Sequence, residues 1–301
     1  MDDLPFQLLL LRKEYDMNSF LIDTKKAFCN KLFLLSCAVS IALSVVCAVF
    51  SVKGYGEFRE FLTVTEYNPL NPLNSLYTFW FGSGVRTKLV NAVLFALPLL
   101  AAMPYSWSVI HERKSNIAAD GGISDLIRRI LGVFLSSGTV IAAFLLVNLL
   151  ANALFIPAIA PDSAYDIYYG VFFSDLFGNL FYSAPWLYML IFIFACSAFG
   201  GLIGCCGCAF GIITKSRIAA VVTPAIILAA VELLSNKLTD NDKVFSPISL
   251  FASAGELFSN FSVAAVEAAF MLAFSLIIVF MCNVNNVHAP ARKGALETVG
   301  D

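Results

Sequence analysis

Four apolar runs without a single charged residue dominate the first two thirds of this chain: 32–52, 89–110, 130–156 and 185–213. A hydrocarbon core about 30 Å thick is crossed by roughly 20 apolar residues in a helix, and each run meets that length. Two further runs, 218–235 with Glu232 and 263–284 with Glu267, bring the total to six. A mean hydropathy of +0.81 with only 13% charged residues excludes a soluble globular chain. Backbone polar groups in lipid must be satisfied within the segment, so the runs are expected to be helices. The alternating pattern of membrane strands is missing. The expected fold is therefore an all-α integral membrane protein: one transmembrane domain over 1–301, with six transmembrane helices and no room for a soluble catalytic domain.

Orientation follows from the cations. With both termini in the cytoplasm, thirteen Lys and Arg lie inside, among them Lys25, Lys26, Lys31, Arg113, Arg128, Lys215 and Arg217; six, such as Lys53 and Lys243, lie outside. An N-in, C-in topology is expected, with 1–31 an interfacial helix on the cytoplasmic surface and 285–301 a cytoplasmic tail. In the first of these segments Phe20, Leu21, Ala27 and Phe28 recur at helical spacing against Asp23, Lys25 and Lys26. No cleavable signal peptide is read here, because the first apolar run is too long and begins too late. Met17 offers a second start site. Most of the eight cysteines fall in the runs, where Cys behaves as a small apolar residue. The cluster Cys205-Cys206-Gly207-Cys208 has no nearby His or counter-charge to support a metal, so no metal is expected.

Several polar and small residues stand out within the runs. Asn148 and Asn152 are one turn apart and share a face; they suit hydrogen bonding to a neighbouring helix or the lining of a pathway. Glu232 and Glu267 each sit a turn or so inside the outer end of a helix. They either snorkel outward towards Lys237 and Lys243 or form a shared outer gate. Gly200, Gly204, Gly207 and Gly211 make two GxxxG spacings, which mark a helix buried among others or at a subunit interface. Pro98 and Pro104 bend the second run. Between the second and third runs lies a charged segment, His111–Arg129, broken by Gly121-Gly122, where one short helix ends before the next begins. Aromatics crowd 164–182, which places that loop at the membrane–water interface. The segment 244–258 is apolar, interrupted by proline and too short to span, so it reads as a short re-entrant or interfacial helix between spans five and six.

One pattern is more specific. The stretch Leu97-Pro98-Leu99-Leu100-Ala101-Ala102-Met103-Pro104-Tyr105-Ser106-Trp107-Ser108 runs into Glu112-Arg113-Lys114-Ser115, and Phe134-Leu135-Ser136-Ser137-Gly138 follows. With the six runs and the segment starting near Ser246-Pro247-Ile248, this resembles permease subunits of ABC transporters of the type-2 exporter class. The resemblance covers nearly the whole chain in topology and about 40 residues in motif. It implies a membrane subunit, not itself an enzyme, coupled to a separate ABC ATPase that carries the ATP and Mg; no cofactor belongs to this chain. It implies a coupling contact at Glu112, Arg113 and Lys114, continuing through Asp125, Arg128 and Arg129. It also implies a homodimer or a heterodimer with a related permease, in a bacterial cell (cytoplasmic) membrane. Asn116 stands where such permeases usually have Gly, and Asn tolerates the left-handed turn. The chain has no GxxxxGK[ST] phosphate loop, in accord with ATP hydrolysis on a partner. Absence of fixed charge at mid-depth fits an amphipathic cargo such as a peptide, drug or lipid conjugate; no nucleic-acid partner is expected. The alternatives are a stand-alone secondary transporter or channel, which predicts internal repeats and broken helices, and an intramembrane enzyme. The latter needs convergent catalytic groups, whereas His111 and His288, the only histidines, both fall on the cytoplasmic side.

Overall fold

A computed structural model describes residues 22, 24–64, 75–80, 88–104, 123–169, 171–238, 248–251 and 254–297. All regular structure among them is helical. Six long helices carry the fold: α1 Lys31–Val64, α2 Lys88–Ala102, α3 Ile123–Ala153, α4 Pro185–Thr214, α5 Arg217–Leu238 and α6 Phe261–Glu297. Five of them contain stretches long and apolar enough to cross a bilayer, and the apolar part of α2, Leu89–Ala102, is shorter. The chain is a multi-pass membrane protein.

Helix boundaries depart from the apolar runs where charge does not break a helix. α1 and α6 continue past 52 and 284, because helical hydrogen bonding needs no lipid and polar residues propagate it in water as well. α3 starts at Ile123, directly after Gly121-Gly122, and so takes Asp125, Arg128 and Arg129 into its first turns. α2 departs in the other direction. It tolerates Pro98 but ends at Ala102, followed by a turn at Met103 and Pro104, short of the expected 110. Proline has no N–H and disfavours a helical residue before it. Residues 105–110 lie outside the described residues.

The pairing of side chains fixes the direction of each helix. Ser40 Oγ donates to the Val140 carbonyl (3.2 Å) and Ser44 Oγ to the Phe144 carbonyl (2.7 Å), so α1 and α3 run parallel. Asn148 Nδ2 returns a bond to the Ser44 carbonyl (2.9 Å). Ser36, Ser40 and Ser44, each one turn apart, present hydroxyls small enough for close approach and able to bond a neighbouring backbone. Between these parallel helices the chain comes back. Phe79 stacks edge-on against Tyr55 (5.7 Å) near the far end of α1, and the Pro104 carbonyl accepts from Asn30 Nδ2 (3.1 Å) at its start. Asn30 also accepts from the Leu32 N–H (3.2 Å), capping α1. α2 with its flanks therefore traverses the same length as residues 30–55 of α1, about 37 Å at the helical rise.

α4 is the hub, and the reason is its glycines. A Cβ on Gly138 of α3 would lie 2.7 Å from the Ser197 carbonyl oxygen, and one on Gly201 would lie 2.6 Å from the Phe134 ring. Gly200 faces Ile141, and Gly204 faces Ser137 too closely for any side chain. These pairs run in opposite order along α3 and α4, which are antiparallel. Gly207 faces the Ala220 carbonyl of α5 and, on the same side, Ala102 of α2. The α4–α5 connection is a tight reversal through Lys215, whose φ of 52° is left-handed. α6 lies along α4 in the same direction, with Phe210 against Phe274 (4.8 Å) and Cys206 Sγ 3.6 Å from Ser275 Oγ. α1 thus begins, and α6 ends, at the end of the bundle marked by Lys215; the opposite end is marked by Pro185.

Two short elements join α5 to α6: a 3₁₀ turn, Ser249–Phe251, and a helix, Ala254–Ser259. Phe258 packs on Tyr188 (5.0 Å) and Phe192 (6.5 Å) near the start of α4. Phe251 packs on Phe199 (5.7 Å), and the Leu250 carbonyl lies 3.9 Å from Cys196 Sγ. Phe199 is 14 residues into α4, about 21 Å below its N-terminus. The element dips into the bundle from the Pro185 end and climbs back, which decides between re-entrant and interfacial: it is re-entrant.

Candidate functional site

The residues singled out in the sequence fall at three levels of the bundle. At the Lys215 end, Arg128 and Arg129 are half-buried in the second turn of α3, and Asp125 sits on its first turn. Glu112, Arg113 and Lys114 lie outside the described residues. The chain leaves α2 at Pro104 and enters α3 at Ile123, both at this end. The short helical stretch 24–28 is held here by Ala27, fully buried among Val133, Cys208 and Ile212, with the Phe28 ring edge-on to Phe33 (5.1 Å). The expected interfacial segment is therefore tied into the bundle at its last turn.

At mid-depth, Asn148 and Asn152 are buried between helices rather than arrayed along an open path. Asn152 Nδ2 donates to the Asn148 carbonyl (2.8 Å) and sits 3.1 Å from its Oδ1, so one amide steadies the other while Asn148 holds α1. Asn152 Oδ1 has no partner. The glycines pack helices within one chain: Gly200 and Gly204 admit α3, Gly207 admits α5 and α2, and Gly211 is buried.

At the Pro185 end the structure brings Glu232 and Glu267 together. Both are half-buried, each with one carboxylate oxygen shielded from solvent, and Glu267 lies within electrostatic reach of Glu232. Glu232 is 15 residues along α5 and Glu267 six residues into the descending α6, the same depth from opposite directions. Two like charges at one depth in a low-dielectric setting disfavour joint ionisation.

Over this end lies a layer missed in the sequence. Residues 75–80 insert between α1 and α3: the Leu76 N–H donates to the Pro157 carbonyl (2.9 Å), Leu76 and Phe79 pack on Ile156, and Trp80 stands edge-on to Phe192 (5.7 Å). Beside it, Tyr182 donates its hydroxyl to the Val171 carbonyl and stacks on Phe173 (4.9 Å). Burial first, then Asp166, Tyr169 and Asp175, push its phenol from 10 up to about 12. A raised phenol keeps its proton in the folded state while the unfolded chain loses it, so this group withdraws stability as pH climbs through 10 to 12. The difference in 295 nm absorbance between wild type and Tyr182→Phe is expected to titrate near 12; a midpoint at 10 would show the hydroxyl to be open to water. The sequence signal for this layer was aromatic density in 164–182; for 75–80 there was only a lone Trp in a loop.

Among the described residues no group of three or more His, Cys, Asp or Glu converges to hold a metal ion. The arrangement is that of a passage or lever rather than a reaction centre: hydrogen-bonded seams, a re-entrant segment against the hub helix and an acid pair near one mouth. No family model, curated protein or solved structure matches this chain.

Proposed function

We propose that this chain is the membrane-spanning subunit of an ATP-driven exporter, dimerising with itself or a related permease and driven by a separate ATPase. The observation that carries the reading is the re-entrant element 248–259 between the last two of six alternating helices. It stands where the resemblance to type-2 ABC permeases expects helical hairpin-like elements. Counting α2 as a crossing gives six spans, with the start of α1, the end of α6 and the 105–122 connection on one side, and the cation distribution makes that side cytoplasmic. In this reading Glu112, Arg113, Lys114 and the foot of α3 through Arg129 meet the ATPase. Its closure, on binding ATP and Mg, moves α2 and α3, and α4 carries that motion through its glycine contacts to the other helices. The cargo is amphipathic, and the membrane is the bacterial cell membrane.

Co-purification tests this. Wild type solubilised in mild detergent is expected to bring down a stoichiometric phosphate-loop ATPase, and Glu112→Ala/Arg113→Ala to lose most of it. Failure to capture any ATPase, with or without nucleotide, would remove the proposal. The Glu232/Glu267 pair favours a second reading, an ion-coupled transporter working alone; cation-dependent flux in vesicles holding only this chain would establish it.

A further inference from the structure

The Lys215 end of the bundle gathers cations from three separate segments around one apolar knot. Ala27 is fully buried against Val133, Cys208 and Ile212. Lys25 and Lys26 immediately precede Ala27 and are exposed, and Lys31 is exposed one turn on. Arg129 stands one turn before Val133, and Lys215 three residues beyond Ile212, with Arg217 opening α5. Within 24–31, 123–133 and 212–219 the single acid is Asp125. The positive charge is not spread along a loop; packing of Ala27 into the α3–α4 groove draws it together.

Exposed apolar residues alternate with these cations. Ile22 is 55% exposed ahead of Lys25, Ile127 45% beside Arg128, Ile213 51% before Lys215, and Ile218 68% beside Arg217. A water-soluble anion has no use for such neighbours, and a folded protein partner leaves them wet at its rim. A molecule with a phosphodiester and two acyl chains meets both. Basic pockets between membrane helices hold such headgroups, each Lys or Arg contributing about 1 kcal/mol near an anionic surface.

We propose that this end of the bundle binds an anionic phospholipid, its phosphodiester held by Lys25, Lys26, Lys31 and Lys215 and its chains laid along Ile127 and Ile218. The lipid clamps 24–31 onto α3 and α4. The assignment does not depend on the transport function.

The full-length protein in mild detergent supplies the test. Its thermal unfolding midpoint is followed while phosphatidylglycerol, phosphatidylcholine or inorganic phosphate is titrated in. Wild type is compared with K25Q/K26Q/K31Q/K215Q, with the milder K25Q/K26Q should the quadruple variant misfold, and with K53Q at the far end. Phosphatidylglycerol is expected to raise the wild-type midpoint at roughly one-tenth the concentration of phosphatidylcholine. The preference should fall about fivefold for each lysine removed, weaken with salt, and survive in K53Q; inorganic phosphate should do nothing. Equal responses to the two lipids would overturn the proposal, as would a preference undiminished in K25Q/K26Q. A response to inorganic phosphate matching that to phosphatidylglycerol would make this a free-anion site instead. Loss of ATPase capture in the lysine variants with lipid preference intact would make it a protein-docking face.

Discussion

Alanine at Gly207 is expected to lower the stability of the bundle by about 2 kcal/mol, and leucine there to abolish folded protein. The added Cβ would meet the Ala220 carbonyl, with Ala102 and the Pro224 ring each 3.3 Å away. A carbonyl inside a helix cannot step aside as the end of a flexible side chain can, so α5 must shift, and overpacking of this kind costs about 1–3 kcal/mol. Gly138→Ala, facing the Ser197 carbonyl at 2.7 Å, belongs to the same class. Gly56→Ala is the counter-case. Nothing lies within 4 Å of its Cβ and it sits in a helix, so alanine is expected to add about 0.8 kcal/mol through helix propensity. Unfolding in mixed micelles orders the variants; a Gly207→Ala no worse than Gly56→Ala would mean that α4 and α5 are further apart than described.

Truncation of Phe251 carries the other large effect. Its ring is 1% exposed, set edge-on to Phe199 deep along α4. Removing a buried phenyl ring costs about 3–5 kcal/mol where the surroundings cannot collapse, and the lower end applies here because the turn carrying Phe251 can follow. Phe251→Ala is expected to destabilise by about 3 kcal/mol and to unseat the re-entrant element, whereas Phe251→Leu retains most of the volume and most of the stability. Cysteine labelling reads the position directly: Leu250→Cys, in a background lacking the native cysteines, should resist a water-soluble maleimide until Phe251 is replaced by alanine. Rapid labelling with Phe251 intact would place the element at the surface.

These two sites show where sequence reasoning held and where it ran out. The apolar runs are legible because lipid permits few solutions, and each run does contain a helix. Their ends are less legible. Lys53, Glu57 and Glu60 continue α1 beyond its apolar stretch, Lys53 pairing with Glu57 one turn on (3.7 Å), while Pro104 closes α2 early. The GxxxG spacings announce a helix that others approach closely. They do not say which others, because Gly204 and Gly207 differ by less than a turn and face different helices. Asn148 and Asn152 share a face, as their spacing requires, but only the partner backbone at Ser44 shows that the face is a seam between α1 and α3. The hydrophobicity of 244–258 excluded a span, while its depth depends on Phe199 and Cys196, some 50 residues away in sequence. The nearness of Glu232 and Glu267 is likewise set by two helices meeting at one depth, which no local pattern encodes.

The account stands on α2 as a full return crossing, since that alone puts the 105–122 connection on the ATPase side. Side-specific cysteine labelling in sealed, oriented vesicles measures it, using Lys53→Cys, Lys114→Cys and Lys215→Cys one at a time in the cysteine-free background. The account predicts that positions 114 and 215 react only from the cytoplasmic side and position 53 only from the opposite one. Reaction of 53 and 114 from the same side would make α2 a hairpin that turns back within the membrane, and the proposed coupling to an ATPase would fall with it.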